Sequence, residues 1–232
     1  MFKDRWRTIL MPSNRPHANG PHGQMRTGAV ATPPATHAPS HSRNSHGLDQ
    51  FFGSIQDRTE LSLLDFTGAN QANISFITNL GHRLYSDDVL HSLDATFGDG
   101  DFFANQSDPK RVQQFLEQTL NFPDRYFDGA LVWDTLQFLA PPLLDLVVDR
   151  LFRILRPDAY LLAFFHADEK ASTIPVYSYR ISDPKTLLLA ARGKRPPAQF
   201  FNNRSLERLF HQFASVKFFL TRDHLREVIV KR

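Results

Sequence analysis

The chain has 232 residues, 41% apolar and 22% charged, which suits one domain with an appendage. It contains no cysteine, so disulfides, thiolate-bound metals and thiol nucleophiles are excluded. The net charge of +3 is unevenly spread: residues 1–46 carry six Lys/Arg and one acid, and the remainder 21 Lys/Arg and 23 Asp/Glu. The body is thus slightly acidic and offers no global electrostatic case for nucleic acid.

Residues 12–46 are dominated by Pro, Gly, Ser, Thr, Asn and His. Such a segment cannot bury enough apolar surface to offset its ordering entropy, so 1–46 is expected to be a disordered basic tail. Five of the ten histidines fall there: His17, His22, His37, His41 and His46. Their irregular spacing and the lack of a nearby carboxylate do not favour a metal site. No apolar run approaches the ~18 residues of a membrane span, because Asp134, Asp145 and Asp149 interrupt the richest stretch. The beginning of the chain also lacks a secretory apolar block, and a cytoplasmic protein without a membrane partner is expected.

From residue 47 the texture alternates between strand-like and helix-like blocks. Residues 61–66 (LSLLDF) form a short apolar run ending in an acid, followed by turn residues. Ile74, Ile77 and Leu80 lie at helical spacing, and Gly81 is a natural stop. Residues 82–88 read as a strand closing on two acids. Asp108-Pro109 begins a helix with a capping side chain and a first-turn proline. Residues 129–136 form a strand, 141–155 a helix with one apolar face, and 159–167 a strand covered on both faces. That alternation implies a mainly parallel sheet. Residues 176–181 and 186–192 then predict a hairpin, 205–213 a helix, and 215–222 with 225–232 a closing antiparallel pair.

Two blocks carry a resemblance. LLDFTGANQANISFITNLGHRLYSDD resembles the first strand, nucleotide loop and second strand of class I S-adenosylmethionine-dependent methyltransferases. FDGALVWDTLQFLAPPLLDLVVDRLFRILRPDAYLLAFFHA resembles their fourth strand, following helix and fifth strand. The resemblance covers residues 48–232. It implies a Rossmann-like α/β fold: a mostly parallel seven-stranded sheet, an antiparallel C-terminal pair, and helices on both faces. The glycine loop departs from the family pattern, with Thr67, Ala69 and Gln71 at the three expected glycine positions and Gly68 between them.

The resemblance assigns S-adenosyl-L-methionine as cofactor. Asp65, Thr67, Gly68 and Ala69 would hold its amino-acid end, Asp87 or Asp88 the ribose, and Asn121 and Phe122 the adenine. Trp133 would line the methyl channel, and Asp134 and His166 would border the substrate. Each has a plainer alternative. Asp65 also suits a strand terminus that binds the next amides, Asp87 and Asp88 suit turn acids, and Phe122 suits core packing. Asp134 and Gln137 have capping-box spacing, and a lone His166 suits a structural role.

Methyl transfer from a sulfonium asks a protein mainly to bind, align and desolvate, so no dedicated catalytic motif is required. The expected function is methyl transfer to an unidentified acceptor. A catalytically inactive methyltransferase-like scaffold is the alternative, and nucleic-acid modification helped by the basic tail is not favoured. The enzymatic expectation requires an open crevice at the carboxyl edge of the sheet.

Overall fold

The computed structural model describes residues 40–232 apart from Arg222. Chain order begins with β1 (Ser40–Asn44), α1 (His46–Gly53), β2 (Ser62–Asp65), α2 (Gln71–Asn79), β3 (Arg83–Ser86) and α3 (Val89–Phe97). Next come α4 (Phe102–Asn105), α5 (Pro109–Thr119), β4 (Phe127–Trp133), a 3-10 turn (Thr135–Phe138), α6 (Pro141–Ile154) and β5 (Leu155–His166). The chain closes with β6 (Ile174–Asp183), β7 (Thr186–Arg195), α7 (Asn203–Leu209), β8 (Ser215–Leu220) and β9 (Leu225–Lys231).

Local chemistry accounts for the boundaries. Gly81 adopts φ 81° immediately after the α2 cap. The Asp108 side chain accepts from the amides of Lys110 and Arg111, and Pro109 occupies the first turn of α5. All seven residues of β4 are buried, so both faces of the sheet are covered there. On one face α1 lies so close that a Cβ at Gly129 would meet the Phe51 ring at 2.8 Å.

The central sheet has six strands in the order β3-β2-β4-β5-β9-β8. Strands β3, β2, β4 and β5 are parallel, whereas β9 runs antiparallel to β5 and β8 antiparallel to β9. The expected α/β architecture and antiparallel ending are present. Among the described residues this sheet has no seventh strand. The segment around Asn121 and Phe122 spends its polar groups on α6 instead of on the edge of β3. Arg150 of α6 binds the carbonyls of Leu120 and Phe122, and the amides of Arg125 and Tyr126 donate to Arg153 and Ile154. Pro123 lacks an amide donor and Arg125 sits at φ 55°, both hostile to strand pairing.

A second sheet has the order β1-β7-β6 and is antiparallel throughout. The 176–192 hairpin therefore forms as expected but gains a third strand from the predicted tail. Residues Ser40–Asn44 pair with Thr186–Ala190, and Ser45 caps α1. The tail boundary moves accordingly: residues 40–46 belong to the fold, and 1–39 lie outside the described residues. A buried carboxylate fixes this junction. Glu227 of β9 accepts from Arg43, Ser45 Oγ (3.0 Å) and the amide of Gly47 (2.6 Å). Of the tail histidines, His41 packs edge-on against Tyr177 and His46 against Phe219, while His17, His22 and His37 fall outside the described residues. Among the described residues no helix is long and apolar enough to cross a membrane.

Candidate functional site at the carboxyl edge

In an open parallel sheet, ligands settle outside the carboxyl ends of the strands, where the connections diverge to opposite sides. Here the chain leaves β2 toward β3 on one side, and β4 leads to β5 on the other. Asp65 ends β2, Asp87 and Asp88 follow β3, Trp133 and Asp134 end β4, and His166 ends β5. The topology thus brings most of the predicted site residues to one edge. Asn121 and Phe122 do not join them. Phe122 packs with Tyr85, Tyr126 and Phe127 in an aromatic cluster, and Asn121 is exposed.

The loop after β2 is tied down at both ends. Thr67 bridges to Asp88, and the amide of Gly68 donates to the Asp87 carbonyl at 3.2 Å. Gly68 has φ 77°, and a Cβ there would lie 2.9 Å from the Asp88 Cβ. The single glycine of the loop therefore meets both demands, positive φ and close approach. Ala69 is exposed, and Gln71 turns outward to donate to Ser75 at 3.0 Å. Asp88 caps α3 through the His91 amide and pairs with Arg192 at 3.2 Å.

The inner half of the crevice is filled by protein. Asp65 is fully buried. Its Oδ1 accepts from Trp133 Nε1 (2.6 Å), the Thr67 amide (3.0 Å) and Thr67 Oγ1 (2.9 Å), and its Oδ2 accepts from Asn73 Nδ2 (3.2 Å). Burial raises the Asp65 proton affinity, and these four donors oppose that rise. Trp133 is buried at φ 54°, a left-handed conformation that costs a bulky side chain about 1–2 kcal/mol. Its indole stacks on Tyr179 of β6, with ring centres 4.9 Å apart and planes 10° from parallel. The same strand is stitched to α2: the Tyr179 carbonyl accepts from Asn73 at 3.1 Å, and the Ile181 amide donates back at 2.8 Å.

Beside this stack lies a second polar group. The Asp134 carboxylate is buried and accepts one long bond, 3.4 Å from the Tyr177 amide. Burial pushes its pKa up to about 7. The Tyr179 hydroxyl faces Asp134 without a well-formed hydrogen bond, and burial followed by the Asp134 charge raises the tyrosine well above its ordinary range. The Asp134–Gln137 capping box does not form. Instead Gln137 Oε1 accepts the His166 amide at 3.0 Å. The His166 ring stacks on Tyr177, and burial lowers its affinity for a proton. Gln137 Nε2 and His166 Nε2 have no hydrogen-bond partner among the described residues. Tyr177, Tyr179 and Asn73 were not singled out by sequence. The alternation in VYSYRI is an ordinary strand pattern, and a neutral asparagine early in a helix gives no signal.

An adenosyl sulfonium lying across the ends of β2 and β4 would need the ground held by Trp133 and Tyr179, and an Asp65 with a free oxygen. In this arrangement the residues do not fit it. Toward the solvent, beside the loop, a cavity of about 550 Å³ remains.

No protein-family model matches the chain, and no curated protein does. Solved structures similar to it include a Burkholderia thailandensis 1,6-didemethyltoxoflavin-N1-methyltransferase with bound 1,6-didemethyltoxoflavin and S-adenosylhomocysteine, at 12% identity and TM-score 0.45 over 80% of this chain and 76% of that one. An S-adenosylmethionine-dependent methyltransferase from Methanosarcina mazei matches at 15% identity and TM-score 0.43, over 76% of this chain and 94% of its own. The [4+2]-cyclase SpnF matches at 14% identity and TM-score 0.45, over 79% of each chain. Structures of S-adenosylmethionine-dependent methyltransferases thus recur among those this chain is similar to.

Proposed function

We propose that the chain is an S-adenosylmethionine-dependent methyltransferase in which the β1-β7-β6 sheet lies shut over the crevice. One observation carries the reading: the carboxyl edge gathers the ionisable groups that packing alone does not explain. Asp134 is held near neutral pH, Trp133 is strained, and His166 and Gln137 keep unpartnered nitrogens, all at the point where the strand connections diverge. Buried polar groups without partners weaken a fold, and strained or perturbed groups concentrate at working sites. The methyl acceptor is open. Asp134, whose pKa burial raises to about 7, would be the group to exchange a proton with an acceptor, and His166, kept neutral by burial, would border it.

The cover is a separate sheet, joined to the central one by the buried Arg43–Glu227 pair and to α2 and α3 by polar contacts, so it can lift without breaking the ladder of the central sheet. No chemical step is assigned to the cofactor, because the closed arrangement has no room for it. The filled crevice favours a second reading, an inactive scaffold of the same fold. Titration calorimetry with S-adenosylhomocysteine, on the wild-type chain and on Tyr179→Ala, separates the two. Saturable binding that tightens in the variant supports the enzyme. An absence of heat from both supports the scaffold.

A further inference from the structure

We infer that the cleft between the loop at residues 67–72, α3 and the outer ends of β6 and β7 binds a small phosphate monoester. Two adjoining cavities, of about 550 and 360 Å³, share Arg192 as a common wall. Together they have the volume of a small-molecule site. Arg180 and Ser178 line the first, and Lys194 and Arg195 the second.

The charge balance specifies the ligand. Four cations, Arg180, Arg192, Lys194 and Arg195, face two acids, Asp88 and Asp94. Arg192 is paired with Asp88 and Arg195 with Asp94, which leaves Arg180 and Lys194 without an ion pair among the described residues. Each cavity thus sets one unpaired cation beside the shared Arg192, a donor set suited to a phosphate monoester, which carries close to −2 at neutral pH. The excess of cations is local. Residues 174–195 hold five Lys/Arg and one acid, within a body that is otherwise acidic. Arginine forks suit phosphate oxygens in paired hydrogen bonds. The Arg192–Asp88 pair lies near the surface, where such pairs contribute little, so Arg192 can turn to a stronger anion at small cost, while Arg195 stays fixed over the Phe102 and Phe138 rings. The amino end of α2 is not part of this argument, since the Asn70 side chain already caps it. The inference stands apart from the methyltransferase reading: the two share residues 67–72 and diverge at Arg180 and Lys194.

The test is titration calorimetry of the full chain in low-salt, phosphate-free buffer, with phenyl phosphate and inorganic phosphate as probes. Phenyl phosphate should bind with Kd below about 1 mM, and more tightly than inorganic phosphate. Arg180→Gln and Lys194→Gln should each weaken it about fivefold or more, because each removes a charge-assisted contact. Lys170→Gln, outside the cleft, should leave it unchanged. Thermal melts matching the wild type confirm that the variants fold. No saturable heat from phenyl phosphate, or unchanged affinity in the doubly substituted chain, overturns the inference. Inorganic phosphate binding as tightly as phenyl phosphate overturns the assignment to an ester. A chain that binds phenyl phosphate but not S-adenosylhomocysteine sinks the methyltransferase reading and leaves this one standing.

Discussion

Two aspartates at opposite ends of β4 are equally buried and differently treated. Asp128, at the amino end, is enclosed by donors: Arg58 at 3.0 Å, the Ser62 amide at 3.0 Å, and Arg156 against both oxygens at 2.9 and 3.0 Å. Asp134, just past the carboxyl end, receives one long bond and faces two tyrosines. A fully paired carboxylate is a structural clamp. An under-paired one raises its pKa and stays ready to exchange a proton. The same strand thus has a fastened end and an under-paired end, and the pairing of its two acids tells them apart.

The largest effect should come from the fastened end. Asp128→Ala strips an acceptor from the buried Ser62 amide and from two arginines, and should cost about 3–4 kcal/mol in urea unfolding. Asp134→Ala at pH 5 should cost under about 1 kcal/mol, since the group it removes is a poorly paired neutral acid. Equal costs would break the comparison. Next is Tyr179→Ala. Loss of the ring stacked on Trp133 should cost about 3 kcal/mol. If the cover competes with the cofactor, the same change should tighten S-adenosylhomocysteine binding about tenfold or more, because a larger fraction of molecules is open.

Much of this was legible in the sequence, and the failures have physical reasons. The strands ending at Asp65, Trp133 and His166 declared themselves by apolar runs that stop at polar residues. Asp108-Pro109 and Gly81 marked helix ends through local chemistry alone. Two things were not legible. Whether residues 120–126 pair with β3 depends on Arg150, a helix residue about thirty positions away that captures two of their carbonyls. Whether Ser40–Asn44 is ordered depends on Glu227, whose buried carboxylate holds Arg43 from the far end of the chain. The filling of the crevice has the same character: Tyr179 stacks on Trp133 from a strand that Asn73 of α2 anchors. Local pattern encodes elements, and long-range polar anchors decide where the chain closes on itself.

Acidity offers a finer probe of the under-paired end. Asp134 holds its proton to about pH 7 in the folded chain, whereas the unfolded carboxyl releases it near about pH 4. Between those values the unfolded chain binds fewer protons, so this residue's contribution to stability is complete below about pH 4 and lost as pH rises through about 7. His166, held neutral by burial, tilts the profile the other way at its acidic end. The difference between wild type and Asp134→Asn isolates the aspartate. The variant should match wild type at pH 4 and become progressively more stable than it up to about pH 7, in melts across the range. Parallel profiles would show that Asp134 is an ordinary ionised acid.

The smallest effect concerns how the cover is held. Arg192 bridges β7 to Asp88 near the surface, whereas Arg43 joins the same small sheet to a fully buried Glu227. A solvent-facing pair gains little from attraction and is screened within ~10 Å at moderate salt. Arg192→Gln should therefore lower stability by less than about 1 kcal/mol, and the deficit should disappear at about 1 M salt. If the deficit persists at high salt, the bridge is a true fastening and the cover cannot lift there. If it fades, the sheet is held at its base by Glu227 and only loosely at its rim, an arrangement in which the basic end can open onto the crevice while the anchored end stays in place.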